Sequence, residues 1–144
     1  MHISEVIRRK GDVVVTIGPD ATVAQLIALL DEHHIGALVV SEDEGASVAG
    51  IVSERDVVIH LHRDGPAVLE ATVGSIMSAE VATCVPEDEL ETLARRMTDL
   101  RVRHLPVVVD GRLKAIVSIG DIVKNRIDEL QDERDQLVGY VQQP

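Results

Sequence analysis

The strongest constraint on this chain is that it is written twice. The stretch "GIVSERD", Gly50 to Asp56, returns as "AIVSIGD", Ala115 to Asp121. A shift of 67 places Thr16 on Thr83, Pro19 on Pro86, and Val23, Leu26 and Leu30 on Leu90, Leu93 and Met97. It also places Ile35, Leu38 and Val40 on Val102, Leu105 and Val107. By the closing motif the shift is 65, because the loop "EDEGASVA" is two residues longer than "VDGRLK". Self-similarity at a fixed period means one supersecondary unit used twice.

Each copy reads as strand, helix, strand, strand, helix. The segments "DVVVTI" (12–17) and "EVATCV" (80–85) are β-branched and strand-like. Helical spacing follows at Val23, Leu26, Ile27 and Leu30, with Asp20 or Thr22 as candidate N-caps, and again at Leu90, Leu93, Ala94 and Met97. Two apolar strands come next, "IGALVV" then "AGIVS" and "HLPVVV" then "KAIVS". Asp110-Gly111 marks the second of the two hairpin turns. The final helix is expected to start at Asp56 or Asp121. About 60 residues bury too little surface to be comfortable alone, so the two copies should pack on each other.

The expected fold is therefore α/β (α+β), with two pseudo-symmetric β-α-β-β-α repeats packed as one module. Residues 1–64 hold the first repeat with a leading helix. Residues 65–78 form a linker and a second leading helix, since "VGSIM" echoes "ISEVI". Residues 79–126 hold the second repeat, and 127–144 a helical extension. In that extension Ile127, Leu130, Leu137 and Val141 make an apolar stripe interrupted by Arg134.

Composition narrows the function. Of 144 residues, none is Trp or Phe and one is Tyr, so the core is aliphatic. The net charge of −11 opposes binding to nucleic acid or an anionic membrane surface, and stacking platforms are missing. A lone cysteine, Cys84, cannot form an internal disulfide and fits a reducing compartment. The start lacks a signal peptide's apolar core, and no run approaches a membrane span, so a cytoplasmic location is expected.

The repeated Ser-x-x-Asp admits two readings. Ser or Asp between a strand and a helix caps the helix's free N–H groups. Alternatively the carboxylate accepts from a vicinal diol while the hydroxyl serves ribose or phosphate. The neighbouring residues bear on the choice. "RVRHLP" sets Arg101, Arg103 and His104 at the mouth of a strand in an acidic protein, where they could neutralise a phosphate or pair with surface carboxylates. Alternation along a strand sends Arg103 and His104 to opposite faces. At the matching position Gly36 and Ala37 would let a flat ring approach the backbone. Arg55 is a further phosphate candidate.

This order of motifs resembles a pair of cystathionine-β-synthase (CBS) domains, a Bateman module. The likeness is carried by Thr16, "HIGALVV", "GIVSERD", Thr83, "RHLPVVV" and "AIVSIGD", and runs from about Val13 to Arg126. It implies a regulatory module that binds an adenosine-containing ligand between the repeats. AMP or NAD(H) leads, with ATP, ADP and S-adenosylmethionine behind, which would make an energy or redox sensor. It assigns ribose hydroxyls to Asp56 and Asp121, hydroxyl contacts to Ser53 and Ser118, and phosphate to Arg103 and His104. It extends the ligand-binding set to Thr16, Ile35, Ile51, Thr83 and Pro106. It also implies a homodimer, here with the C-terminal stripe in the contact, and a regulated protein of unknown identity. Two features depart from the pattern. Ala115 stands where a glycine is usual, and the basic pair occurs in one repeat only, so the clefts should differ.

The competing readings are an enzyme and a ligand-free adaptor for dimerisation. Catalysis finds little support. His33, His34 and the run "HLHRD" (His60 to Asp64) fit solvated helix ends better than metal ligands, Cys84 sits in an apolar run, and neither a phosphate-binding Gly-rich loop nor a triad is present. No metal or catalytic cofactor is expected.

Overall fold

The computed structural model describes residues 1–11 and 13–143. Helix α1 (Ile3–Lys10) leads into strand β1 (Thr16–Ile17), helix α2 (Val23–His33), strands β2 (Ala37–Val40) and β3 (Gly50–Ser53), and helix α3 (Glu54–Asp64). A 3₁₀ turn (Gly65–Glu70) and the single-turn helix α4 (Val73–Ile76) join this unit to helix α5 (Leu90–Leu100), strands β4 (His104–Val109) and β5 (Arg112–Ser118), and helix α6 (Ile119–Gln142). The α/β repeat architecture is as the sequence predicts.

The first repeat forms a three-stranded sheet in the order β1-β2-β3, parallel then antiparallel. The second is a β4-β5 hairpin. The strand expected over 80–85 shrinks to one parallel bridge, Cys84 to Val107, held by Cys84 N–H to Pro106 O and Val108 N–H to Cys84 O, both at 3.0 Å. The strand expected over 12–17 is likewise only Thr16–Ile17, and residue 12 lies outside the described residues. Asp110 and Gly111 both take positive φ, 52° and 76°, as a two-residue hairpin turn requires. The longer β2–β3 loop is organised by Asp43. It accepts from the Ser47 and Ser41 hydroxyls, both at 2.7 Å, which lowers its pKa to about 2.

Each helix start has a local cause. Thr22 caps α2 in a reciprocal capping box with Gln25. Ser53 and Ser118 do the same for α3 and α6, with Asp56 and Asp121 at the third helical position. These helices therefore begin at Glu54 and Ile119, two residues before the motif aspartates.

The leading helices are exchanged in space. Ile3 and Val6 of α1 are fully buried among Leu90, Leu93, Met97, Leu105 and Ile122 of the second repeat. Val73 and Ile76 of α4 pack with Val23, Leu26, Leu38 and Val52 of the first. Matching backbone bonds fix both docks. Ile3 N–H donates to Asp88 O and Ser4 N–H to Pro86 O, both at 2.9 Å. Val73 N–H donates to Ala21 O at 2.8 Å and Gly74 N–H to Pro19 O at 2.9 Å. Each small core is completed by chain from beyond its own repeat, which binds the two into one unit.

Candidate functional site

Helices α2 and α5 end alike. His34 and Arg101 take the left-handed conformation, with φ of 53° and 55°, and turn the chain into β2 and β4. The segments that follow are tied to the next helices by equivalent bonds, Glu54 N–H to Gly36 O at 3.0 Å and Ile119 N–H to Arg103 O at 2.8 Å. The two repeats meet here. A Cβ built on Gly36 would lie 3.8 Å from the His104 ring.

A cleft of about 510 Å³ opens at this junction, a size that suits a nucleotide. The first repeat lines it with Gly36, Ala37, Ile51, Ser53, Glu54, Arg55 and Asp56, and the second with Arg101, Val102, Arg103 and His104. Nine of the residues singled out from sequence thus come together: Gly36, Ala37, Ile51, Ser53, Arg55, Asp56, Arg101, Arg103 and His104. Arg103 and His104 were expected on opposite faces, but both face the cleft. Arg103 precedes β4, so strand alternation does not govern it.

The other six lie elsewhere. Thr16 pairs with Val39, two residues up β2 from Ala37, and sits beside Gly45 of the hairpin loop. Ile35 lines an adjoining hollow of about 630 Å³ between α2 and α3, which shares Gly36 and Glu54 with the cleft and whose charged residues are Asp31 and Glu54. Thr83 precedes the Cys84 bridge, and its carbonyl accepts from Arg96 at 2.7 Å. Pro106 is buried inside β4. Ser118 and Asp121 belong to the equivalent position of the second repeat. Three cleft residues, Ser78, Glu54 and Val102, were not foreseen. Ser78 is brought in by exchanging backbone bonds with Ile51, 3.0 and 2.9 Å, a pairing that leaves no local sequence signal. Glu54 lay in plain view inside the first motif.

Both motif aspartates act as caps. Asp56 Oδ2 accepts from Ser53 N–H at 2.8 Å and from the Ser53 hydroxyl at 3.1 Å. Asp121 Oδ2 accepts from Ser118 N–H at 2.9 Å and from the Lys10 ammonium at 2.6 Å. Capping leaves Oδ1 of Asp56 without a hydrogen-bond partner among the described residues. Burial would raise the Asp121 pKa, but the Lys10 and Ser118 hydrogen bonds hold it below the usual carboxylate value. Burial, then the nearby Lys10 charge, lowers that of His104 below the usual imidazole value. Among the described residues none of Arg55, Arg101 and Arg103 pairs with a carboxylate.

The remaining reactive groups behave structurally. Cys84 is buried, which pushes its thiol up to about 12, and it donates weakly to Pro106 O. His60 Nδ1 lies 2.9 Å from the Asp56 carbonyl within its own helix. Among the described residues no cluster of His, Cys, Asp and Glu could hold a metal ion, and no helix is long and apolar enough to cross a membrane.

Two repeats that exchange their leading helices, with a nucleotide-sized cleft at their junction, define a tandem-repeat module. The chain belongs to the CBS-domain family: the family model "CBS domain" matches residues 3–63 and 73–128. It is 36% identical over 126 residues to the mitochondrial CBS domain-containing protein CBSX3 of Arabidopsis thaliana, covering 85% of this chain and 61% of that protein. The chain thus spans about three fifths of that relative's length. Among solved structures it is similar to a CBS-domain containing protein from Agrobacterium tumefaciens, with 40% identity and a TM-score of 0.84, covering 88% of this chain and 99% of the other. The CBS pair of protein MJ0100, solved with 5-methylthioadenosine and S-adenosyl-L-methionine, shares the fold at 20% identity and a TM-score of 0.78, covering 90% and 98%. CBS pairs are regulatory modules.

Proposed function

We propose that the Asp56 cleft binds an adenosine-containing nucleotide, AMP or NAD(H) first and ATP or ADP second, and that the chain reports energy or redox state to a partner protein. One observation carries this reading. Three guanidiniums without carboxylate partners, Arg55, Arg101 and Arg103, converge on a cleft that also presents Asp56, in a chain of net charge −11. A phosphate suits the guanidiniums and a ribose diol suits Oδ1 of Asp56. Gly36 and Ala37 leave room for a base against the backbone. The MJ0100 pair supports the ligand class through the two adenosine compounds in its crystals.

A second reading has its own support. Both aspartates are already engaged as caps, which a ligand-free dimerisation adaptor would need equally. The homodimer proposed with either reading rests on α6. Val123, Ile127, Leu130, Leu137 and Val141 are each about half exposed or more, and with Arg134 they keep the alternating spacing of four and three that makes a coiled-coil seam.

Calorimetric titration with AMP separates the two. Asp56→Ala should lose about 1.5–3 kcal/mol of binding, the range for hydrogen bonds to a charged group. Wild-type protein that takes up no AMP, NADH or ATP leaves the adaptor. With one Tyr and no Trp the protein is nearly transparent at 280 nm, so a carried-over nucleotide would announce itself at 260 nm and could be identified by mass spectrometry.

A further inference from the structure

We propose that Lys10 closes the position around Asp121 that is equivalent by the repeat symmetry to the Asp56 cleft, leaving one open adenylate site at Asp56 and a latent one at Asp121. The inference rests on the adenylate reading above and says which cleft is filled. The symmetry that carries Ser53 and Asp56 onto Ser118 and Asp121 also carries Ile51 onto Ile116. In the first repeat the Ile51 carbonyl accepts from the backbone of Ser78 at 2.9 Å, which leaves Asp56 with no cation on it among the described residues. In the second repeat the Ile116 carbonyl accepts from the Lys10 ammonium at 2.8 Å. The same ammonium donates to Asp121 Oδ2 at 2.6 Å. A side-chain cation therefore stands against the carboxylate that would hold the ribose.

The asymmetry has a plain origin in the leading helices. Helix α4 is one turn of four residues and carries no basic residue. Helix α1 has eight residues and ends in Arg8, Arg9 and Lys10. At about 1.5 Å per residue, the extra turn carries Lys10 roughly 6 Å further along the axis. Arg9 fixes that end, donating to Asn125 Oδ1 at 3.2 Å and standing 3.8 Å from Asp128 of α6. Oδ1 of Asp121, like that of Asp56, has no partner among the described residues, but a diol seating there must crowd an ammonium already held on the same carboxylate by a charge-assisted hydrogen bond, which is shorter and stronger than a neutral one. At Asp56 no cation stands on the carboxylate among the described residues.

Calorimetry with AMP on the full chain tests this. Wild type should bind one AMP per chain, and Asp56→Ala should bind it about ten- to a hundred-fold more weakly, below detection at the concentrations that saturate wild type. Lys10→Met alone should bind two, and Lys10→Met in the Asp56→Ala background should recover one. Lys10→Arg, which keeps the charge, should stay at one. Methionine preserves the stem and the helix propensity, and Lys10 is exposed, so circular dichroism should show an unchanged fold. Two AMP per wild-type chain would overturn the inference, as would a Lys10→Met/Asp56→Ala chain that binds none. If wild type binds no AMP but the double variant binds one, the Asp56 reading fails while the Lys10 closure stands. If neither binds, both are refuted.

Discussion

Gly50, the first residue of the repeated motif, is expected to tolerate no side chain, although its counterpart is Ala115. A Cβ at Gly50 would sit 2.6 Å from Met77 Sδ and 2.8 Å from the Ser78 carbonyl oxygen. The thioether can swing away. The carbonyl cannot, because it accepts from Ile51 N–H at 3.0 Å and so fastens the linker to β3. Gly50→Ala must push the linker off the strand. Overpacking of this kind costs about 1–3 kcal/mol. Reduced freedom of the unfolded chain offsets at most about 1 kcal/mol of that. A net loss of roughly 1–2 kcal/mol, at about 2–4 °C per kcal/mol for a chain near this size, lowers Tm by about 2–8 °C. Circular dichroism melts would measure it, with Gly18→Ala as control, since a Cβ there meets nothing within 4 Å. Because Ile51 and Ser78 both line the cleft, AMP binding should weaken as well. If Gly50→Ala melts with the control and binds as wild type does, the linker does not constrain β3 as described.

Arg103→Ala should weaken AMP about ten-fold or more while leaving adenosine nearly unchanged, as loss of a charged hydrogen bond requires; equal losses for both ligands in titration would show that Arg103 shapes the cleft without meeting phosphate. His104 has a folded pKa below 6.5, so its contribution to stability is complete above that value and is lost as the pH falls through the folded one. A phosphate beside the ring raises its pKa, so AMP binding takes up a proton. Wild-type affinity should therefore gain on that of His104→Gln as the pH drops below about 6.5, and parallel pH profiles would remove His104 from the phosphate site. Truncation after Lys124 removes most of the α6 seam and should give monomers in light scattering at low concentration, whereas a truncated chain that stays dimeric would put the contact on the other helices.

What the sequence determined by itself is what depends on neighbours a few residues apart. The repeat, the element order, the Asp110-Gly111 hairpin and the Ser-x-x-Asp caps all rest on contacts across one turn of chain. Short range also explains where reading along the chain misled. Strand propensity in 80–85 is real, but only Cys84 reaches β4, through Cys84 N–H to Pro106 O and Val108 N–H to Cys84 O, so the pairing stops at one bridge. Only the tertiary structure decided which repeat each leading helix completes, since both present apolar residues three apart, Ile3 and Val6 in one and Val73 and Ile76 in the other. It alone joined Asp56 of one repeat to Arg103 and His104 of the other, brought Ser78 under the cleft through its backbone, and set Lys10 on a carboxylate 111 residues away. Such pairings depend on how two nearly identical surfaces dock, and no local pattern of residues encodes the choice.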